Sequence, residues 1–180
     1  AERERLCRTD ILIIGGGAID AGLEAEIRQL PGKVYSTYGM TETLSHIALR
    51  RLNGPDASTL YYPFPSVRLS LSPEHTLIID APLVCDTILV TNDVAEINSD
   101  GSFSILGRKD NTINTGGIKV QAEQVEDILR PWIHVPFAIT SVSDAALGEA
   151  IVLLIENGGY TERLEEKMKE LLTKYQLPKM

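Results

Sequence analysis

A run of apolar residues that ends in three glycines decides the fold of this 180-residue chain: Asp10-Ile11-Leu12-Ile13-Ile14-Gly15-Gly16-Gly17. A continuous apolar run of this length, stopped by glycine, is typical of a buried strand in a parallel sheet. Asp20 can cap a following helix, which Pro31-Gly32 ends. Residues 33–37 then predict a second strand, so the stretch forms a right-handed strand–helix–strand unit.

The region from about residue 67 to 106 predicts a small antiparallel sheet or barrel. Short β-rich runs alternate there with turn residues, and Asn98-Ser99-Asp100-Gly101 suits a hairpin. The runs are Val67–Leu71, Thr76–Ile79, Thr87–Thr91, Val94–Ile97 and Ser102–Leu106.

The region after Arg108 predicts an α+β arrangement. A hairpin around Gly116-Gly117 is followed by a helix and then by two strand candidates, 137–142 and 150–155. A last helix begins near Thr161. The apolar residues predicted to be buried by this helix are Leu164, Met168, Leu171, Leu172 and Tyr175.

The composition excludes several classes of function. A net charge of -8 argues against non-specific nucleic-acid binding, which needs a basic face. No apolar run approaches the ~18 residues of a membrane-spanning helix, and residues 1–5 have mixed charge with no signal-peptide pattern behind them. Cys7 and Cys85 show no metal or redox spacing, so we expect free thiols in a cytoplasmic protein.

The glycine triplet does not form a dinucleotide-binding fingerprint. Counted from Gly15, the third glycine of G-x-G-x-x-G would fall at Asp20. Glycines without a Cβ allow either a tight turn or the close approach of a flat ligand to the backbone. Both interpretations of Gly15-Gly16-Gly17 stay open on the residues alone.

A second short stretch combines groups that suit a nucleotide: Tyr38-Gly39-Met40-Thr41-Glu42-Thr43. It follows a predicted strand, at the end of an open α/β sheet where ligands bind. Its hydroxyls can donate to phosphate oxygens, and Glu42 can hold Mg²⁺, which commonly binds one or two carboxylates together with phosphates. The alternative interpretation is the start of a helix capped by Thr41 or Thr43.

Four segments in order resemble motifs of the adenylate-forming superfamily, which contains acyl-CoA synthetases, peptide-synthetase adenylation domains and luciferases. The stretch at 38–42 resembles its Y-G-x-T-E signature, and Gly15-Gly16-Gly17-Ala18 resembles the preceding G-G-A turn. Thr91-Asn92-Asp93 resembles T-G-D, with asparagine in place of glycine. Residues 107–126 resemble the long G-R-x-D…G-G-x-K-V…E-x-x-E stretch. Four motifs over most of the chain make the resemblance specific.

The resemblance implies an ATP/AMP site in the first part of the chain. It implies that Tyr38 stacks on adenine, that Thr41 contacts the α-phosphate and that Glu42 holds Mg²⁺. Gly39 belongs to the same signature, and residues 15–17 would bring their backbone close to the adenine. Thr41 and Glu42 are therefore the predicted catalytic residues.

The resemblance also assigns roles later in the chain. Asp93 would accept hydrogen bonds from the ribose hydroxyls, and Arg108 would reach the ribose or a phosphate. Asp110 matches the position about which the C-terminal domain of the superfamily rotates. Gly116 and Gly117 would line the channel for coenzyme A.

The predicted fold class is α/β plus α+β. Residues 1–107 would form the C-terminal part of a large adenylation domain, with an α/β part at 1–60 and a β subdomain at 67–107. Residues 108–110 would be the hinge, and 111–180 a truncated small C-terminal domain.

The predicted reaction joins a small carboxylic acid to coenzyme A through an acyl-adenylate. The stretch from Tyr38 to Ile47 is most similar to that of ligases acting on o-succinylbenzoate in menaquinone synthesis, so Ser45 and His46 would lie beside the acyl pocket. Three alternatives stay open: a ligase for another aryl or short acid, a peptide-synthetase adenylation domain, and a catalytically silent nucleotide-binding module. The oligomeric state also stays open, including a homo-oligomer.

Two parts of the superfamily's machinery are not found in this sequence. They are the Ser/Thr/Gly-rich phosphate loop and the catalytic lysine near the C-terminus, although Leu177-Pro178-Lys179 resembles the segment just before that lysine. We therefore expect this chain alone not to complete the adenylation step.

Overall fold

The computed structural model describes residues 2–17, 19, 21–156 and 159–179. Ala18 of the glycine motif and the predicted cap Asp20 lie outside these residues. The chain divides into two compact units. Unit 1 comprises Ala1–Thr91 and Ala95–Ile105, and unit 2 comprises Asn92–Val94 and Leu106–Met180.

The first sheet of unit 1 is built around the predicted parallel strand pair, which is confirmed. Strand β1 pairs in parallel with β2, and β3 and β4 continue the sheet in antiparallel pairings. The elements of this part are α1 (Glu2–Leu6), β1 (Ile11–Ile14), α2 (Ala21–Ile27), β2 (Lys33–Gly39), β3 (His46–Arg51) and β4 (Tyr62–Pro63).

One face of β1 packs into a core and the other is exposed, so the strand predicted to be buried is covered on one face only. Leu12 and Ile14 pack into a core with Ile27 of α2 and Val34 of β2. Ile11 and Ile13 point to the other face and are 57% and 51% exposed. The difference arises because α2 packs over one face of the sheet, whereas apolar periodicity cannot show how many faces are covered.

The second sheet, most of which belongs to unit 1, has the order β5-β6-β7-β8, and β5 pairs with β6 in antiparallel fashion. Its strands are β5 (Arg68–Leu71), β6 (Thr76–Asp80), β7 (Leu89–Ile97) and β8 (Phe103–Arg108). The two runs predicted at 87–91 and 94–97 are thus one strand. The hairpin at 98–101 is confirmed by a hydrogen bond from the Asn98 amide to the Ser102 carbonyl at 2.8 Å.

Unit 2 contains a four-stranded sheet in the order β10-β9-β12-β11 together with two helices. Gly116 and Gly117 connect β9 to β10 with φ values of 60° and 80°, as a tight two-residue hairpin turn requires. The elements are β9 (Thr112–Thr115), β10 (Ile118–Gln121), α3 (Ala122–Leu129), β11 (Phe137–Asp144), β12 (Gly148–Ile155) and α4 (Glu162–Leu171).

The last helix begins where the sequence predicts, because the Thr161 side chain accepts a hydrogen bond from the Leu164 amide. Leu164 and Met168 are buried as expected, but Leu171 and Tyr175 are 37% and 42% exposed. The helix ends at Leu171, and extended backbone at Leu172 directs that residue into the core instead. In the described part of the chain, no helix has the length and apolar character needed to cross a membrane.

Candidate functional site

The signature loop of unit 1 is fixed by one buried hydroxyl. Thr43 is fully buried, and its Oγ1 accepts a hydrogen bond from the Met40 amide at 3.1 Å. The same oxygen lies 2.9 Å from the Met40 carbonyl and 2.6 Å from the Ser45 carbonyl. The loop makes a single 3-10 turn, Thr41–Thr43, and then enters β3, so the alternative of a capped α-helix is wrong.

Thr41 and Glu42 project from this fixed turn and are both exposed. Leu44 follows in a left-handed conformation, with φ of 57°, and is 84% exposed. A left-handed conformation is costly for a leucine and persists only where neighbouring contacts fix the chain. The hydrogen bonds of Thr43 supply that constraint, so the loop presents a hydroxyl and a carboxylate in a set geometry.

Tyr38 rests on other aromatic rings that the sequence did not reveal. Its ring packs edge-on against Phe103, with centroids 5.4 Å apart, and is tilted against Tyr61 at 5.9 Å. The Tyr61 hydroxyl in turn lies 3.0 Å from Ser36 Oγ, and the Arg50 guanidinium lies over the Tyr61 ring. The half-buried Tyr38 ring is therefore held in place by Phe103 and Tyr61.

Two glycines of unit 1 are needed for close packing between strands. A Cβ on Gly15 would lie 2.4 Å from Thr37 Oγ1, so Gly15 lies directly beside Thr37, the residue before Tyr38 in β2. A Cβ on Gly39 would lie 2.4 Å from the Ser45 carbonyl, at a bulge where β2 meets β3. Gly16 has φ of 97° and Gly17 has open space around it.

The predicted acyl-pocket residues lie at the start of β3. Ser45 is exposed, and its Oγ lies 3.0 Å from Nδ1 of the half-buried His46. The His46 ring is tilted against Phe64 with centroids 5.6 Å apart. The pair offers a hydroxyl and an imidazole side by side, both suited to hydrogen bonding with a carboxylate or keto oxygen.

The other residues predicted to bind the nucleotide, Asp93 and Arg108, belong to a charged cluster in unit 2. The Arg108 guanidinium lies 3.6 Å from Asp93 and 3.1 Å from Asp110, and Asn92 donates to Asp110 at 3.4 Å. The hydrogen bond to Asp110 and the charge of Asp93 raise the pKa of Arg108. One cation here contacts two carboxylates.

Gly116 and Gly117, which are predicted to line a coenzyme A channel, form the hairpin turn between β9 and β10. The Gly116 amide donates to the Leu147 carbonyl at 2.8 Å, and a Cβ on Gly116 would lie 3.3 Å from the Leu147 side chain. Gly117 has no atom within 4 Å of its Cβ position. Turn chemistry therefore accounts for both residues, and the channel stays a prediction.

The predicted site residues are divided between the two units. Unit 1 holds Gly15, Gly16, Gly17, Tyr38, Gly39, Thr41, Glu42, Ser45 and His46, and unit 2 holds Asp93, Arg108, Asp110, Gly116 and Gly117. Within the described ranges, no three His, Cys, Asp or Glu side chains form a metal-binding group. A single exposed carboxylate such as Glu42 fits Mg²⁺ held largely by phosphate and water.

The chain is similar to known acid–CoA ligases and acyl-CoA synthetases. The chain is 25% identical over 185 residues to the 2-succinylbenzoate–CoA ligase of Lactococcus lactis, an alignment that covers 93% of this chain and 41% of the ligase. It is 34% identical to a solved acyl-CoA synthetase-like protein of Dyadobacter fermentans, with a TM-score of 0.58, covering 94% of this chain and 50% of that one. No family model matches the chain.

The resemblance to the adenylate-forming ligases is therefore confirmed. Within that class, the Lactococcus relative is named for 2-succinylbenzoate, and the Bacillus subtilis O-succinylbenzoate coenzyme A synthetase, solved with ATP and magnesium, has the same fold. That structure superposes with a TM-score of 0.73 at 20% identity, covering 98% of this chain and 44% of its own. The chain spans less than half the length of this enzyme and of the Lactococcus ligase.

Proposed function

We propose that this chain supplies the C-terminal part of an ATP-dependent acid–CoA ligase that forms AMP. The observation that carries the proposal is the turn Thr41–Thr43, in which a buried threonine fixes an exposed hydroxyl and an exposed carboxylate. The turn follows shortly after Tyr38 in the chain, and the Tyr38 ring packs against Phe103. The relatives named as acid–CoA ligases support the same class.

In this proposal, unit 1 binds the nucleotide. The Tyr38 ring stacks on adenine, and the glycines 15–17 let backbone approach the base. Thr41 donates to the α-phosphate, and Glu42 holds Mg²⁺, which would neutralise charge on the phosphate oxygens. Catalysis of adenylation is then chiefly positioning and electrostatic stabilisation.

Residues of unit 2 have their own roles in the same proposal. Asp93 accepts hydrogen bonds from both ribose hydroxyls, and Arg108 contacts the ribose or a phosphate. Residues 1–107 belong to the large adenylation domain, 108–110 form a hinge centred on Asp110, and 111–180 belong to the small C-terminal domain. Gly116 and Gly117 lie along the path of coenzyme A, whose thiolate attacks the acyl carbon and releases AMP.

The proposed acid is o-succinylbenzoate, which makes the enzyme part of menaquinone synthesis. The name of the Lactococcus relative supports this choice. The neighbouring polar groups of Ser45 and His46 also support it, since the acid carries a second carboxylate and a keto group for them to bind. Free thiols at Cys7 and Cys85 agree with a cytoplasmic enzyme.

The experiment is a product assay with the full-length protein, ATP, Mg²⁺ and coenzyme A. O-succinylbenzoate is offered beside benzoate, acetate and amino acids, and thioesters are read by mass spectrometry. We expect a dominant o-succinylbenzoyl-CoA peak, and no product from the 180-residue chain alone. A different thioester would retain the ligase and reject the acid, whereas ATP binding without turnover of any acid would favour a silent nucleotide-binding module.

A further inference from the structure

A glutamate outside the proposed nucleotide site closes the turn that follows β8. The Arg108 amide donates to Glu123 Oε1 at 3.2 Å, and the Asn111 side chain donates to the same oxygen at 2.5 Å. One carboxylate oxygen thus accepts hydrogen bonds from both ends of the 3-10 turn Lys109–Asn111. Hydrogen bonds to an ionised acceptor are stronger than those between neutral groups.

The backbone at Gly107 packs directly against this carboxylate. A Cβ on Gly107 would lie 2.4 Å from Glu123 Oε2 and 3.0 Å from Gln121 Oε1, so only glycine leaves room for the contact. Both of these oxygens are buried and accept no hydrogen bond from the part of the chain that the structure describes. Burying an acceptor oxygen without a hydrogen bond costs free energy. If the turn opened, water could donate a hydrogen bond to this oxygen and remove that cost.

Glu123 is carried by a rigid support. It lies in the first turn of α3, whose residues Val125 and Leu129 are fully buried in the core of unit 2. The carboxylate therefore cannot follow the turn if the turn changes conformation. The same turn holds the Arg108 guanidinium near Asp93, so its conformation also sets the charged cluster.

We infer that Glu123 is a positioning residue that latches the turn Gly107–Asn111, and that the latch opens when the chain moves about Asp110. The latch stands on the contacts of unit 2 alone. The link to movement about Asp110 rests on the proposed ligase function. The two parts are tested separately.

The latch is tested by amide hydrogen exchange on the 180-residue chain, read residue by residue by NMR. Glu123→Ala is expected to speed exchange of the Arg108 amide about tenfold, the effect of losing a charge-assisted hydrogen bond. Glu123→Gln keeps one acceptor oxygen and should change that rate less than the alanine variant does. Trypsin cleavage after Arg108 and Lys109 should rise in parallel.

Glu126→Ala is the matched control. Glu126 lies on the same helix, and its carboxylate also accepts from a backbone amide, that of Ile139 at 2.8 Å. This variant should speed exchange at Ile139 and leave Arg108 unchanged. An unchanged Arg108 amide in Glu123→Ala would overturn the latch, and so would equal acceleration at Arg108 in both variants, since that would indicate general destabilisation.

The link to movement is tested in the full-length protein by measuring pyrophosphate release and thioester formation separately. Glu123→Ala should change the ratio of the two rates, whereas Glu126→Ala should leave the ratio unchanged. An unchanged ratio in Glu123→Ala, with Arg108 exchange accelerated, would overturn the link. Absence of adenylation in the unsubstituted protein would reject the ligase proposal and leave the exchange result standing.

Discussion

The signature turn of unit 1 and the turn after β8 in unit 2 are both single 3-10 turns, but they are held by different forces. A buried neutral hydroxyl, that of Thr43, fixes the first, and its charged residue Glu42 faces solvent. Charged side chains hold the second, where Arg108 contacts Asp93 and Asp110 and Glu123 accepts from the backbone.

Because of this difference, we expect the turn Thr41–Thr43 to be fixed and the turn after β8 to be adjustable. Hydrogen bonds of a buried hydroxyl are insensitive to salt, so the turn Thr41–Thr43 should keep its shape while ligands exchange. Ion pairs between exposed groups such as Arg108 and Asp110 contribute little stability and weaken with salt. A segment held in this way can change partners at small cost in free energy.

The largest expected effect concerns the exposed carboxylate of the fixed turn. In the full-length enzyme, Glu42→Ala should lower the rate of pyrophosphate release about 10²-fold or more, as loss of one electrostatic stabiliser does elsewhere. Glu42→Gln should lose as much, because the charge is what matters. The control Glu26→Ala removes another exposed carboxylate of unit 1 and should have no effect. Near-normal pyrophosphate release in Glu42→Ala would disprove the Mg²⁺ role.

The second prediction restricts the backbone of the turn Lys109–Asn111, to test whether the chain moves about Asp110. Asp110→Pro should spare adenylation and reduce thioester formation about 10²-fold, because a misplaced domain costs roughly that much. Asp110→Ala removes the same ion pair without fixing φ and serves as the control. Single-turnover assays separate the two steps, and equal loss of both steps in the proline variant would count against a hinge.

A smaller effect is expected from the hydroxyl that fixes the first turn. Thr43→Val keeps the shape of the buried side chain but leaves the Met40 amide without its acceptor, which should lower the free energy of unfolding by about 1–3 kcal/mol. Thr41→Val changes an exposed hydroxyl and should cost less than about 0.5 kcal/mol, while impairing adenylation. Urea unfolding gives both values. Equal destabilisation would remove the distinction between the two threonines.

The smallest effect concerns a second charged contact of unit 2. Lys179 donates to Asp144 at 2.8 Å, and this hydrogen bond, with those from the Leu147 and Ala146 amides, lowers the pKa of Asp144 to about 2. Because the folded-state pKa lies below that of the unfolded chain, the contribution is present above about pH 4 and is lost as the pH falls toward 2.

Thermal unfolding between pH 5 and pH 2 checks this contribution. The Tm of the unsubstituted chain should fall more steeply than that of Asp144→Asn, which has no carboxylate to protonate. Lys179→Met should show an intermediate slope, since the two backbone donors to Asp144 remain. Parallel curves for all three proteins would show that Asp144 does not couple to folding.

Local sequence patterns predicted the elements whose cause is local. The apolar run before Gly15, the hairpin at 98–101, the Gly116-Gly117 turn and the Thr161 cap are each determined by a few neighbouring residues. The two runs predicted at 87–91 and 94–97 form the single strand β7. The pattern separates them because Asn92 and Asp93 are residue types common in turns, although in this structure they continue the strand. The signature loop was identified from its motif.

Features made by distant residues could not be predicted in the same way. Tyr61 and Phe103 support Tyr38, yet each lies far from it along the chain and belongs to no motif. In the sequence, Glu123 stands out only as part of a motif, and its contact with the Arg108 amide depends on how α3 packs. The exposure of Ile11 and Ile13 likewise depends on what covers the sheet, which periodicity does not encode.

The position of β1 at the outside of its sheet affects how the chain behaves in concentrated solution. Its outer side offers hydrogen-bonding backbone groups along Ile-Leu-Ile-Ile, a segment of high β-propensity without charge or proline. Ile11 and Ile13 are exposed on the same strand, so we expect it to favour edge-to-edge association. A lysine at position 11 or 13 would act as a gatekeeper there.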